Sequence, residues 1–160
     1  MVKLFFERRE LARVHAFGAI RHHSDGERRV IYILLNLLPI AVATAVGLGI
    51  GYAWRMTLGS GGRMGAGMVT LAALGEFWLA AILAGALILA PPKADPWIMA
   101  IGSAVVIWAG FVLPAVAITL AHRGVAARGV VTDALHWLVV MTLQAVLMKA
   151  IGLVPPPPGS

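Results

Sequence analysis

Residues 30–54 read VIYILLNLLPIAVATAVGLGIGYAW and contain no Asp, Glu, Lys or Arg. A helix needs roughly 20 predominantly apolar residues to cross the hydrocarbon core of a bilayer, which is about 30 Å thick. The run meets that length, and it has no polar face that could be turned toward water. It therefore predicts a membrane-spanning helix rather than the core helix of a water-soluble domain.

Three further segments of the chain have the same character. Residues 66–90 carry one charged side chain, residues 97–121 carry none, and residues 131–154 carry charges only near their ends. Because every connection between these segments is short, sequential helices should run antiparallel. We therefore predict an all-α membrane protein, with a four-transmembrane-helix up-down bundle over residues 30–154.

The amino-acid composition excludes the common soluble classes. The 160 residues are 60% hydrophobic and 12% charged, and the mean hydropathy is +0.88. Soluble domains carry about 25% charged residues, and disordered chains combine low hydrophobicity with high net charge. The chain has no cysteine, which excludes disulfides, thiol redox chemistry and cysteine-ligated metals.

Positive charge is concentrated before the first apolar run. Of 13 Lys and Arg, seven lie in residues 1–29, which form a basic N-terminal arm. The arm is either an interfacial helix or a partly ordered segment. At the other end of the chain, residues 155–160 form a Pro-rich tail. A pI near 10.8 would suggest nucleic acid for a soluble protein, but basic residues beside a membrane helix contact anionic lipid headgroups. We therefore expect that the protein does not bind nucleic acid. The expected headgroup contacts are Arg21, Arg28, Arg29 and Lys149.

The distribution of Lys and Arg also predicts the orientation of the chain. Nine of them lie on the side of the two termini, and four lie in the first and third connections. Cytoplasmic loops carry the excess of Lys and Arg in membrane proteins. Both termini are therefore expected to face the cytoplasm.

Helix ends are marked by several local patterns. The connection PPKADP contains three prolines, which stop one helix and set up the next. His122, Arg123 and Gly124 predict a helix end, because a basic last turn is followed by glycine. Thr132 or Asp133 is expected to be the N-cap of the last helix, and the stretch IWAGFVLP predicts a kink in the third helix.

Glu76 is the one acidic residue in the middle of an apolar segment. At about 1.5 Å per residue it lies roughly 15 Å below the start of its segment, near mid-bilayer. An ionised carboxylate at that depth costs at least about 2.5 to 3.5 kcal/mol on insertion scales. Glu76 is therefore either a proton or cation site or a neutral acid that is hydrogen-bonded to a neighbouring helix.

Polar side chains also share one stripe of the fourth segment. Asp133, His136, Val140 and Gln144 are spaced three, four and four residues apart, which places them on one helix face. A face with an imidazole and an amide should turn inward, toward Glu76, and His136 is expected to hydrogen-bond rather than to ligate a metal or pigment. The predicted intramembrane polar site comprises Glu76, His136, Gln144, Thr44 and Thr142.

Small residues predict where helices approach each other closely. Gly47 and Gly51 form a GxxxG spacing in the first segment, and Ala81 and Gly85 form a similar pair in the second. These pairs pack either inside the bundle or against another subunit. The chain has no His-x-x-x-His pair, Gly-rich phosphate loop or Ser-His-Asp arrangement, so no metal, cofactor or catalytic residue is predicted.

Three stretches resemble a known family. They are Trp108-Ala-Gly-Phe-Val-Leu-Pro114, Asp133-Ala-Leu-His-Trp137, and the glycines of the first segment followed by Tyr52-Ala-Trp54. Over roughly residues 36–153, the chain resembles a family of bacterial four-helix membrane proteins known only as domain of unknown function family 1761. The resemblance implies a four-helix, multi-pass protein of the bacterial inner membrane. It implies no activity or catalytic residues.

Two main hypotheses for the function remain open. The leading one is a non-enzymatic small polytopic membrane protein that acts as an assembly or accessory subunit, beside itself or within a larger membrane complex. Short loops, the glycine content and the basic arm favour it. The competing one is a small oligomeric transporter or channel that uses Glu76 with His136 and Gln144. A membrane enzyme with Glu76 or His136 as acid or base is a third hypothesis.

Overall fold

The structure is a computed structural model that describes residues 32–58, 64–91 and 95–155. The chain divides into two compact units, and the second comprises Asn36–Val154. Of the first unit, only residues 32–35, which are helical, and residue 155 are described. The predicted N-terminal arm and nearly all of the predicted tail lie outside the described residues. Helix accounts for 88% of the described residues, which contain no strand.

The second unit is made of consecutive helices. They are α1 (Leu37–Leu58), α2 (Ala66–Leu89), α3 (Pro96–Ile107), a π-helical segment (Trp108–Val112), α4 (Leu113–His122) and α5 (Ala127–Ile151). α3, the π-helical segment and α4 are continuous and form one apolar stretch, Pro96–His122, called the third span below. Four stretches of the described chain are thus long and apolar enough to cross a membrane. The predicted all-α class and the four apolar helices are confirmed.

Two helices begin or end away from the predicted positions. α1 follows a turn at Asn36 and continues four residues past Trp54, through Arg55. α5 begins at Ala127, four residues before residue 131, because Arg128 is incorporated into its first turn. Charged residues with straight side chains are good helix formers, so hydrophobicity marks the apolar part of a helix rather than its ends.

The predicted N-cap of the last helix is wrong. Ala126 occupies the cap position, and Thr132 and Asp133 lie inside α5. The Thr132 hydroxyl donates to the carbonyl oxygen of Arg128 at 2.9 Å, so it bonds within its own helix. The Asp133 carboxylate is consequently not used to begin the helix.

The third span begins and changes pitch at specific residues. Asp95 caps α3, since its Oδ1 accepts from the backbone N–H of Trp97 at 2.8 Å and of Ile98 at 3.2 Å. The π-helical segment lies just before Pro114, which has no N–H to donate and whose ring crowds the preceding turn. The sequence predicted a kink at this place, and the structure has a wider π turn there.

A left-handed glycine ends α4, as predicted. Gly124 has a φ of +72°, and its N–H donates to the carbonyl of Ala121 at 3.0 Å. The N–H of Val125 returns to the carbonyl of Leu120 at 3.0 Å. These two bonds form the C-terminal motif in which glycine takes the conformation that a side chain would strain.

α5 is the helix against which the others pack. It contacts α1, α2, α3, α4 and the π-helical segment, while α1 also contacts α2 and α2 also contacts α3. Alanine and glycine supply much of the buried surface, which lets the helix backbones come close. The buried small residues are Ala43, Gly47, Ala80, Ala81, Ala84, Ala100, Ala104, Ala134 and Ala145.

Candidate functional site

A carboxyl–amide pair joins α2 to α5 inside the apolar region. The Gln144 Nε2 donates a hydrogen bond to the Glu76 Oε2 at 2.8 Å. The Gln144 side chain is 0% exposed and Glu76 is 5% exposed. The structure therefore brings together Glu76 of the second apolar segment and Gln144 of the fourth, which the sequence predicted in one polar site.

The same amide reaches α1. The Gln144 Nε2 also lies 3.4 Å from the carbonyl oxygen of Ala43, so one amide nitrogen faces acceptors on two helices. The Gln144 Oε1 is buried and has no hydrogen-bond partner among the described residues. An amide oxygen in that position needs a donor, and an acid proton on Glu76 is a donor that the pair itself can supply.

Gly47 creates the space that this pair occupies. A Cβ atom at position 47 would lie 2.5 Å from the Glu76 Oε2 and 2.7 Å from the Gln144 Nε2. Both distances are shorter than real contacts of a Cβ atom, so a side chain there would displace the hydrogen-bonded groups. The three residues form one unit across three helices, called the Glu76–Gln144–Gly47 cluster below.

The two predicted threonines do not bond to this cluster in the described structure. Thr44 is 8% exposed, but its Oγ1 donates to the carbonyl of Ile40 at 2.8 Å, one turn earlier in α1. Thr142 is half-buried, and no hydrogen bond joins its hydroxyl to Glu76 or Gln144. The position of a residue along a helix does not decide where its side chain points, because that depends on rotation about the helix axis.

His136 lies beside a different pair of residues. A Cβ atom at Gly51 would meet the His136 Cε1 at 3.8 Å, and the His136 and Trp54 rings have centroids 5.3 Å apart. The His136 Nδ1 and the Trp54 Nε1 are buried, and neither has a hydrogen-bond partner in the part of the chain that is described. His136 thus makes an aromatic ring contact between α5 and α1, separate from the hydrogen bond that joins Glu76 on α2 to Gln144 on α5.

The predicted stripe of α5 changes in burial along its length. Asp133 is exposed and His136 is half-buried, whereas Val140 and Gln144 are 0% exposed. The stripe therefore enters the core of the unit from one end of α5. Its inner half faces the other helices, in the direction that the sequence indicated.

The remaining predicted positions have more varied surroundings. Ala81 is 2% exposed, and Gly85 and Lys149 are half-buried. The expected headgroup contacts at Arg21, Arg28 and Arg29 lie outside the described residues. Within the described ranges, no group of three or more His, Cys, Asp or Glu could hold a metal ion.

Asn36 is a buried polar residue that the sequence reasoning did not select. Its side-chain Nδ2 donates to the carbonyl of Val154 at 2.9 Å, and its Oδ1 accepts from the N–H of Val154 at 2.7 Å. The amide is 0% exposed. It pairs with the N–H and the carbonyl of Val154, as a neighbouring backbone would. Its signal was visible, since Asn36 is a single amide within the uncharged run at residues 30–54.

Trp108 makes the polar contact of the third span. Its indole Nε1 donates to the carbonyl oxygen of Ala134 at 2.8 Å. Trp108 begins the π-helical segment, so the wider turn and this bond occur at the same place. A carbonyl within a helix is an acceptor that a sequence pattern does not reveal.

Comparisons with known proteins do not assign the chain to a family. No protein-family model, curated protein or solved structure matches the chain. The resemblance to domain of unknown function family 1761 therefore stays a prediction. The function is inferred below from the geometry of the described residues.

Proposed function

We propose that this chain is a non-enzymatic, small, polytopic membrane protein that acts as an assembly or accessory subunit, beside copies of itself or within a larger membrane complex. The observation that carries the proposal is the uneven coverage of its four apolar helices. Within their most apolar windows, 22%, 28% and 33% of residues are buried for α1, α2 and α5, but only 6% for the third span. The third span therefore has the smallest buried share of the four, which leaves more of its surface for a partner than any other helix has.

The polar groups at the centre support the same function. Gln144 donates a hydrogen bond to Glu76, and α1 approaches the pair closely at Gly47. A pair of this kind fixes how helices pack, because each polar group would otherwise lie unpaired in lipid. The surface of the third span carries Gly102 and Gly110, each with open space where a Cβ atom would stand. Small residues of this type let a second helix approach closely.

The test uses the absence of native cysteine, so that every introduced thiol is unique. Phe111→Cys places a thiol on the third span where the native side chain is 73% exposed, and Leu71→Cys places one on α2 where it is 66% exposed. After oxidation in native membranes, the Phe111→Cys chain should form a disulfide-linked homodimer, or a mixed disulfide when a second membrane protein carries a thiol. The Leu71→Cys chain should stay monomeric. Equal cross-linking of the two variants, or none in either, contradicts the proposal.

A small oligomeric transporter or channel is the second candidate. It is favoured by two buried atoms without partners in the described residues, the Gln144 Oε1 and the His136 Nδ1. Such atoms could exchange hydrogen bonds with a passing proton or water. The flux of protons or cations across proteoliposomes should then be lost in Glu76→Gln. A lack of flux in both the wild type and the variant removes this candidate.

We further propose the membrane arrangement expected from the sequence. It is an up-down bundle in a bacterial inner membrane, with both termini in the cytoplasm and anionic lipid headgroups around the basic arm. The support is the excess of nine Lys and Arg over four on the side of the termini. Labelling of single cysteines in the arm and in the turn at residues 123–126 should show opposite accessibility, and labelling from the same side contradicts the arrangement.

A further inference from the structure

A cleft of about 350 Å³ lies between α4 and α5, outside the Glu76–Gln144–Gly47 cluster. Its volume is near the lower end of the range for small-molecule sites. The side chains that define its character are Val116, Thr119 and Leu120 from α4 and Asp133, His136 and Trp137 from α5. One wall is thus mainly apolar, and the other combines a carboxylate with two aromatic rings.

Asp133 gives the cleft its charge. The residue is exposed, it does not cap α5, and no ion pair or hydrogen bond joins its side chain to the described residues. It lies six residues after the start of α5, which is about 9 Å along the helix. A carboxylate at the edge of an apolar region is stabilised by pairing with a cation.

Aromatic and aliphatic groups around Asp133 narrow the class of cation. Trp137 and His136 line the same cleft one turn further along α5, and an indole face attracts an organic cation. Val116 and Leu120 offer aliphatic surface on the opposite wall. A hydrated metal ion would leave these walls unused, whereas an alkyl group covers them.

We propose that the cleft between α4 and α5 binds an amphiphilic monoammonium ion, with the ammonium group at Asp133 and the apolar body between Trp137 and the Val116–Leu120 wall. Arg123 and Arg128 are exposed, the first on the turn after α4 and the second in the first turn of α5, five residues before Asp133. Their like charge opposes a second ammonium group on the ligand. The site consequently favours one charge on a compact apolar body over a polyamine.

The experiment uses the full chain in dodecyl maltoside micelles, which carry neither charge nor amine. Isothermal titration calorimetry compares hexylammonium with neutral hexanol and with hexane-1,6-diammonium. Hexylammonium should bind at one site at least tenfold more tightly than either comparison probe. Asp133→Asn should weaken hexylammonium at least tenfold and leave hexanol unchanged. Equal affinity for hexylammonium and hexanol, or no effect of Asp133→Asn, overturns the proposal.

Two further variants keep the result interpretable. Arg128→Gln removes a like charge and should strengthen the binding of hexane-1,6-diammonium more than that of hexylammonium. If Asp133→Asn loses its helical circular dichroism, Val116→Phe fills the cleft without altering the carboxylate and should abolish binding. Retained binding in a folded Val116→Phe chain overturns the proposal.

Added phosphatidylethanolamine displaces hexylammonium if the natural ligand is a lipid headgroup and does not displace it if the ligand is a free amine.

Discussion

The interface between α1, α2 and α5 and the attachment of the third span are built differently. In the first, glycine and alanine bring the backbones together around a buried carboxyl–amide pair. In the second, the buried residues of the third span are Ala100 and Ala104, and one indole N–H reaches α5. Since lipid tails are as apolar as leucine, close packing and hydrogen bonds distinguish a helix contact from a lipid contact. The first interface is therefore the more closely packed of the two, and the third span is the part that we propose meets a partner.

The largest effect is expected where a side chain would enter the first interface. Gly47→Ala places a Cβ atom 2.5 Å from the Glu76 Oε2, so the pair must separate or the helices must move apart. The free energy of unfolding in lipid should fall by about 1–3 kcal/mol. Gly49→Ala is the matched control, because nothing lies within 4 Å of its Cβ position. Reversible unfolding of both variants checks this, and equal stability of the two would contradict the role of the cluster.

An intermediate effect is expected from removing the amide of the pair. Gln144→Leu leaves Glu76 without its hydrogen-bond partner in an apolar setting, which should cost about 1–2 kcal/mol of unfolding free energy. Glu76→Gln keeps a group that accepts from Gln144 and can also donate to its Oε1, so it should cost less. A double-mutant cycle of Glu76→Leu and Gln144→Leu measures the coupling. A coupling near zero would show that the two residues do not stabilise each other.

The smallest effect is expected at the attachment of the third span. Trp108→Phe removes the indole N–H that bonds to Ala134 and should lower the unfolding free energy by about 0.6 kcal/mol. Trp78→Phe is the control, since Trp78 is 62% exposed. Faster amide hydrogen exchange confined to the third span is the expected signature of Trp108→Phe. A loss as large as that of Gly47→Ala would remove the distinction between the two regions.

The sequence predicted the four helices because apolar length is a local property that needs no knowledge of neighbours. It also selected Glu76, Gln144 and Gly47, since a polar group inside an apolar run needs a partner and a glycine there permits close packing. Partners were harder to predict, because they depend on how each helix is rotated. Thr44 was predicted in the polar site, but its hydroxyl bonds to its own helix.

The sequence also failed to predict some helix ends and the hydrogen bonds that side chains make to distant main-chain groups. Acidic residues begin many helices, which favoured Asp133 as an N-cap, but the start of α5 extends back to Ala127. Asn36 stands out as the single amide of its uncharged run, but its partner could not be predicted, because the backbone of Val154 leaves no pattern in the sequence. Hydrogen bonds from side chains to main-chain atoms are thus visible in the structure and not in the sequence.

The bond between Asn36 and Val154 has a consequence for biosynthesis. The two residues are 118 positions apart, and the ribosome makes the chain from the N-terminus. The Asn36 amide must therefore leave the ribosome and enter the membrane long before its acceptor and donor exist. Until Val154 has left the ribosome, the insertion machinery, water or lipid headgroups must solvate that amide, so the helical unit closes only after its last segment has been made.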